Sequence, residues 1–157
     1  MRNLVINKIH HLMKKNEKIF FLTADMGINL VEIFKNDYPK RYLNVGIAEQ
    51  NLISIASGLA NIGFIPVAYT ISNFLTHRCF EQIRNDIVLH SYPIVLVGTS
   101  SGFDNASLGP THHMVDDWGC LKNFENFEIY SPTSNAFATN KIEEVLNNPR
   151  QCFFRLA

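Results

Sequence analysis

The sequence predicts an α/β fold, a parallel sheet of about six strands with helices on both faces. Two observations carry this reading. Short, largely apolar runs of strand length alternate along the chain with longer segments of helical period. The run at 19–22 is continuously apolar, as expected for a strand covered on both faces. Size and composition agree. The chain has 157 residues, the length of one ordinary domain. With 46% hydrophobic and 18% charged residues and a mean hydropathy of −0.01, it has the material for a core and lacks the polarity of a disordered chain. A single folded domain over residues 1–157 is expected, without repeat, linker or low-complexity tract.

Val5, Ile9, Leu12 and Met13 recur at helical spacing, and the polar residues 14–17 follow, which predicts an amino-terminal helix. Residues 19–22 read as the first strand, 28–34 as the next helix and 42–45 as the second strand. Over 48–62, Ala48, Leu52, Ile55, Ala56 and Leu59 fall in helical register. Ile53, Ala60 and Ile62 widen that stripe beyond one face, so this helix is expected to be central and largely buried. Gly63 ends it. Residues 65–69 then predict a strand, 74–89 a helix closed off by Pro93, and 94–97 a further strand. A turn-rich stretch at 98–110 precedes a short helix at 114–121, a strand at 127–130, a helix at 135–146 and a closing strand at 153–156.

Fourteen basic and fourteen acidic side chains cancel to zero formal charge, and the basic ones are scattered, so no nucleic-acid partner is expected. No apolar run approaches the roughly 18 to 20 residues that span a bilayer, and the amino terminus lacks a signal-peptide core. The expectation is a cytoplasmic chain that does not engage membranes. Cys79, Cys120 and Cys152 are odd in number, far apart and in no metal-binding spacing, which predicts buried thiols rather than a disulfide framework or zinc site. With 11% aromatic residues, some apolar surface can also belong to a partner.

Ligands of open parallel sheets bind beyond the carboxyl ends of the strands. That directs attention to residues 25–27, 44–50, 70–77 and 98–113. Glu49 stands out, in the first turn of a helix whose next turn offers Leu52 and Ile53. Spacing alone leaves two readings open: a partly solvated acid favoured by the helix dipole, or a desolvated carboxyl tuned for proton exchange with a ligand. His113, Asp116 and Asp117 lie close in sequence, but their spacing matches no zinc motif, and no metal site is expected. Gly98, Gly102 and Gly109 are followed by no Gly-Lys-Ser/Thr, so that stretch is not a nucleotide phosphate loop.

The run Arg41-Tyr42-Leu43-Asn44-Val45-Gly46-Ile47-Ala48-Glu49-Gln50-Asn51, followed by Ser57-Gly58-Leu59-Ala60, resembles the signature of the pyrimidine-binding domain of transketolases and 1-deoxyxylulose-5-phosphate synthases. Thr23-Ala24-Asp25, Gly109-Pro110-Thr111-His112 and Ser131-Pro132-Thr133 extend the resemblance over most of the chain in family order. It implies a thiamine diphosphate enzyme that moves a two-carbon ketol unit between sugar phosphates or related substrates. Two alternatives stay open: a component of a 2-oxoacid-decarboxylating synthase or dehydrogenase, and a non-catalytic domain that regulates or scaffolds a complete transketolase.

For Glu49 the resemblance implies a hydrogen bond to the ring nitrogen of the aminopyrimidine, stabilising its imino tautomer. A carboxyl that exchanges a proton in a dry pocket suits that role, and positioned acid–base groups contribute about 10²–10⁴-fold in rate. Phe74 aligns with the main stacking aromatic, its alternative being an ordinary core residue. Ile71 replaces a second aromatic, and His77 falls where a tyrosine is common. Asp25 matches an acid near the thiazolium ring, with helix capping as its alternative. His112 matches a histidine facing the substrate channel, able to bond sugar hydroxyls or shuttle a proton, and Asn29 corresponds to a further substrate-facing position. Leu108 stands where sugar-using members commonly carry an aspartate, and Ser100 where transketolases have a histidine near the substrate phosphate. Loss of that acceptor favours a deoxy or less hydroxylated substrate. Arg155 resembles an arginine near the substrate phosphate, with a surface or interface ion pair as its alternative.

The resemblance also implies that the diphosphate is held through Mg²⁺ by a Gly-Asp-Gly motif, which this sequence does not contain. Thiamine diphosphate is therefore expected to be shared with a partner that carries the Mg²⁺ and diphosphate-binding site, and two pyrimidine-binding domains are expected to pair near the Glu49 helix. The diphosphate-binding and carboxyl-terminal domains of the family have no counterpart in these residues. A split subunit and a fragment of a longer chain both remain open, with Met1 favouring a natural amino terminus.

Overall fold

A computed structural model describes residues 1–157. The apolar runs form six strands: β1 (Ile19–Thr23), β2 (Tyr42–Asn44), β3 (Ile65–Ile71), β4 (Val95–Thr99), β5 (Glu128–Tyr130) and β6 (Cys152–Arg155). They pair in the order β2-β1-β3-β4-β6-β5, every pairing parallel. Seven α-helical segments connect them: α1 (Arg2–Lys15), α2 (Glu32–Asp37), α3 (Glu49–Asn61), α4 (Ser72–Thr76), α5 (Phe80–Gln82), α6 (Asp117–Leu121) and α7 (Asn135–Asn147). No helix is long and apolar enough to cross a membrane.

The central strands are mostly apolar, with Thr23, Thr70 and Thr99 buried near their carboxyl ends, because successive side chains enter different cores. Phe21, Val67, Val95, Val97 and Phe154 pack with α1, α2 and α7 through Val5, Ile9, Phe34 and Ile142. Their neighbours Leu22, Ala68, Leu96 and Phe153 pack with Leu52, Ile53 and Ala56 of α3 and with Leu75, Ile83 and Leu121. The chain steps from β1 outward to β2 and returns past β1 to β3. The two crossovers place α2 and α3 on opposite faces, so the connections diverge between β1 and β3, the switch point at which ligands of such sheets bind.

The structure corrects the expected helices in four places. The one expected at 114–121 begins only at Asp117, because Met114 is bridged to Gly102 through both backbone groups. The helix expected at 28–34 begins later, at Glu32, because residues 27–31 form a turn in which the Leu30 and Val31 amides donate to Gly27 O. Gly27 has φ +88, and a Cβ there would lie 2.8 Å from Val31 Cγ1, so only glycine fits. The single helix expected over 74–89 is broken into α4, α5 and a π-helical turn at Ile83–Val88. Cys79, with φ −108 and ψ 14, leaves helical geometry as its side chain enters the core. The wide turn is held by α3, where Ser57 Oγ donates to Asp86 O at 2.9 Å and Ser54 Oγ to Asp86 Oδ2 at 2.8 Å. Finally, α3 is buried along one face only, by Glu49, Leu52, Ile53, Ala56 and Ala60. Gln50, Asn51, Ser54, Gly58 and Asn61 are exposed on the other.

All three cysteines are free, Cys79 and Cys152 buried and Cys120 partly so. At α7, Ser134 accepts the Phe137 amide at 3.2 Å and closes the first turn as an N-cap.

Candidate active site

Glu49 opens α3 where the chain returns from β2, and its side chain is only 3% exposed. A carboxylate so enclosed needs a counter-charge. Arg78 provides it: Nη1 donates to Glu49 Oε2 at 2.5 Å. Glu49 Oε1 has no hydrogen-bond partner in the chain and still reaches the surface. The Arg78 guanidinium carbon lies 4.1 Å from the centroid of the Phe74 ring, over its face. Phe74, on α4, is half-buried, and its ring meets His112 in a T-shaped contact at 5.2 Å. The fold thus joins Glu49 and Phe74 through Arg78, with His112 reaching the group through its edge contact with Phe74. Sequence reading missed that arginine. Its available signal was its position four residues after Phe74, one helical turn away.

The segment after β4 is tied down onto α4. Asn73 Nδ2 donates to Thr111 O, and His77 lies with Nδ1 2.8 Å from Asn73 Oδ1 and Nε2 3.4 Å from Asp116 Oδ1. Both ring nitrogens of His77 therefore face partners inside the chain. His112 lies in a 3₁₀ turn (Pro110–His112), its Nδ1 3.0 Å from Thr111 Oγ1. Leu108 ends the preceding turn and is 58% exposed. Ile71, half-buried, ends β3.

Asp25 does not cap a helix. Its amide donates to Asn44 Oδ1 at 2.9 Å and its Oδ1 accepts from Asn44 Nδ2 at 3.3 Å, which ties the end of β1 to the end of β2. Val31, without a side-chain cap, starts α2 instead. Asn29, exposed and at φ +64, donates its amide to Glu32 Oε1 at 2.9 Å, and that bond leads those holding the Glu32 carboxyl below its ordinary value. Neither Asp25 nor Asn29 is hydrogen-bonded to the Glu49 group.

Arg155 ends β6, and its Nε lies 3.0 Å and 2.9 Å from the two oxygens of Asp117 while Nη2 donates to Met114 O at 3.3 Å. The ion-pair reading of Arg155 is the one the fold displays, with a partner carboxylate only 1% exposed. Asp116 and Asp117 are thus engaged by His77 and Arg155, and no three His, Cys, Asp or Glu side chains gather in a metal-binding group.

Beside this corner, the Cys79 thiol is pushed up to about 12 by burial and then by the Glu49 charge, with Arg78 opposing. A buried carboxylate with one accessible oxygen, next to a half-exposed phenyl ring, fits a flat nitrogen heterocycle that presents a hydrogen-bonding edge. Its free carboxylate oxygen is an acceptor, which suits the edge of an aminopyrimidine better than a diphosphate.

The family model described as "Transketolase, pyrimidine binding domain" matches residues 1–157. The chain belongs to this family. Among curated relatives, it is 30% identical over 157 residues to one subunit of the apulose-4-phosphate transketolase of Actinobacillus succinogenes, covering 99% of this chain and 50% of the relative. It is 33% identical over 150 residues to the 1-deoxy-D-xylulose-5-phosphate synthase of Syntrophus aciditrophicus, covering 93% of this chain and 22% of the relative. A solved split-gene transketolase, described as an inactive β4 tetramer, superposes with a TM-score of 0.87 at 28% identity, covering 98% of this chain and 50% of the other. The chain thus spans at most half the length of these relatives. As a transketolase pyrimidine-binding domain, it belongs to a family of thiamine diphosphate enzymes, and the parallel six-stranded sheet is that family's fold.

Proposed function

We propose that this chain is the pyrimidine-binding half of a transketolase that transfers a two-carbon ketol unit between ketose and aldose substrates. It acts only with a partner that binds Mg²⁺ and the diphosphate. The observation that carries this is Glu49, a buried carboxylate with one oxygen accessible, held beside the half-exposed ring of Phe74. When bound, thiamine diphosphate would supply stabilisation of negative charge on the substrate's own carbonyl carbon, chemistry that side chains lack. Glu49 holds or accepts a proton at Oε1 toward the pyrimidine ring nitrogen, and Phe74 offers the ring a flat apolar face. Ile71 borders that face, and Asp25 lines the end of β1. His112, in edge contact with Phe74, bonds a substrate hydroxyl or carries a proton.

Leu108 and Ser100 make this chain's share of the substrate wall poor in charge, which suits a deoxy or less hydroxylated substrate. Arg155 keeps Nη1 and the second N–H of Nη2 free of its contacts with Asp117 and Met114, and these are its remaining donors toward a substrate phosphate. Asn29 extends the rim. Ile28, Ile47, Phe103 and Val115, all exposed on loops at the carboxyl edge, give the diphosphate-binding partner an apolar surface to cover. The exposed face of α3 suits pairing of two copies, and the related split-gene chain is itself described as a β4 tetramer.

Similarity to a 1-deoxy-D-xylulose-5-phosphate synthase supports a second reading, a decarboxylating carboligase. Product analysis with the matching diphosphate-binding subunit separates the two. Ketol transfer without gas release is expected. Carbon dioxide from a 2-oxoacid would replace the transketolase reading by the synthase reading. Whether the domain is catalytic at all is tested by complementation: the wild-type chain should restore activity to that partner, and Glu49→Ala should not.

A further inference from the structure

Arg78 touches both groups on which the pyrimidine reading rests. Nη1 reaches Glu49 Oε2 at 2.5 Å, and the guanidinium carbon stands 4.1 Å over the Phe74 ring. Its own backbone is held as well, since Gln50 Nε2 donates to Arg78 O at 3.1 Å. Glu49 and Gln50 open α3, Phe74 belongs to α4, and Arg78 follows α4 where the helix breaks. One residue therefore couples the carboxylate of one helix to the ring of the other. The side chain is 42% exposed and has solvent available, yet it is turned onto a carboxylate that is 3% exposed.

We infer that Arg78 is a positioning residue for this site. By holding Oε2, it orients the Glu49 carboxyl so that Oε1 is the oxygen presented to a ligand. By standing over Phe74, it backs one face of the ring and leaves the other as the stacking surface. Arginine suits this double duty because its planar group donates in plane and stacks through its face, whereas a lysine ammonium cannot do both. The inference rests on the proposed pyrimidine site, and its test keeps the two apart.

The experiment uses the full chain with its diphosphate-binding subunit. Thiamine diphosphate affinity is measured by calorimetry in Mg²⁺, kcat and cofactor KM by steady-state kinetics, and melting temperature by circular dichroism, for Arg78→Met, Arg78→Lys, Glu49→Gln and Phe74→Leu. Arg78→Met is expected to weaken cofactor binding by about tenfold and to lower kcat. Arg78→Lys is expected to recover the melting temperature by restoring the charge while leaving cofactor affinity several-fold short, roughly the share due to the stacked plane. Full rescue of affinity and kcat by lysine would overturn the inference, as would unchanged affinity in either Arg78 variant while Glu49→Gln and Phe74→Leu are impaired. If those two variants also bind and turn over as wild type does, the pyrimidine reading itself falls.

Discussion

Two corners at the carboxyl edge of the sheet each bury a carboxylate against an arginine, and they are finished differently. At β6, both oxygens of Asp117 are taken by Arg155 Nε, and Oδ1 also accepts the Trp118 amide at 3.0 Å. Arg155 then reaches Met114 O and fastens the segment after β4. At α3, Arg78 takes a single oxygen of Glu49 and spends its face on Phe74, leaving Oε1 open. A saturated buried pair acts as a fastening. A half-saturated one keeps a charged acceptor in an enclosed place with unused capacity, which is the condition for recognising a ligand.

That contrast predicts different losses at the two corners. Glu49→Gln should reduce turnover of the assembled enzyme by about a hundredfold or more while the melting curve stays near that of wild type. Turnover at the parental rate would erase the distinction. Arg155→Met should act the other way, on stability first. It leaves Asp117 enclosed without its cation, at a cost of about 3 kcal/mol, the low end for a broken buried pair because Arg155 reaches solvent. A lowered urea midpoint with unchanged slope is expected. A rise in substrate KM with no loss of stability would instead make Arg155 a substrate residue. Phe74→Leu, which keeps apolar volume but removes the ring, should weaken cofactor binding by up to about tenfold, read by calorimetry.

The smallest effect is a thiol titration. Cys79 is raised from an ordinary 9.0 to about 12 by burial first and Glu49 second, with Arg78 lowering it. The folded chain keeps this proton between those values while the unfolded chain loses it. The associated stability is therefore complete below about pH 9 and falls away as pH rises toward 12. Glu49→Gln should pull the Cys79 titration down and Arg78→Met push it up, each by under about one pH unit, followed by thiolate absorbance. Shifts of the same sign in both variants would show that the thiol does not sense this ion pair.

The site was legible where its information was local. The run around Glu49 placed an acid at the start of an apolar helix, and the fold encloses that acid. Phe74 and His112, 38 residues apart by number, were each flagged by the family resemblance, but only the docking of the 110–116 segment on α4 brings their rings together. A capping role for Asp25 fails because a turn at Gly27 intervenes before the helix. The break at Cys79 was invisible because apolar periodicity runs through it, and the π-helical turn depends on serines of α3.

Periodicity, largely apolar strand runs and the motif around Glu49 were enough to determine the α/β class, most of the elements and the family, because each is written in residues close along the chain. Which charges meet was decided by tertiary structure alone. Arg78 finds Glu49 across 29 positions and Arg155 finds Asp117 across 38. A guanidinium can serve any carboxylate within reach, and only the order of the strands and the packing of α3 and α4 determine which one is within reach.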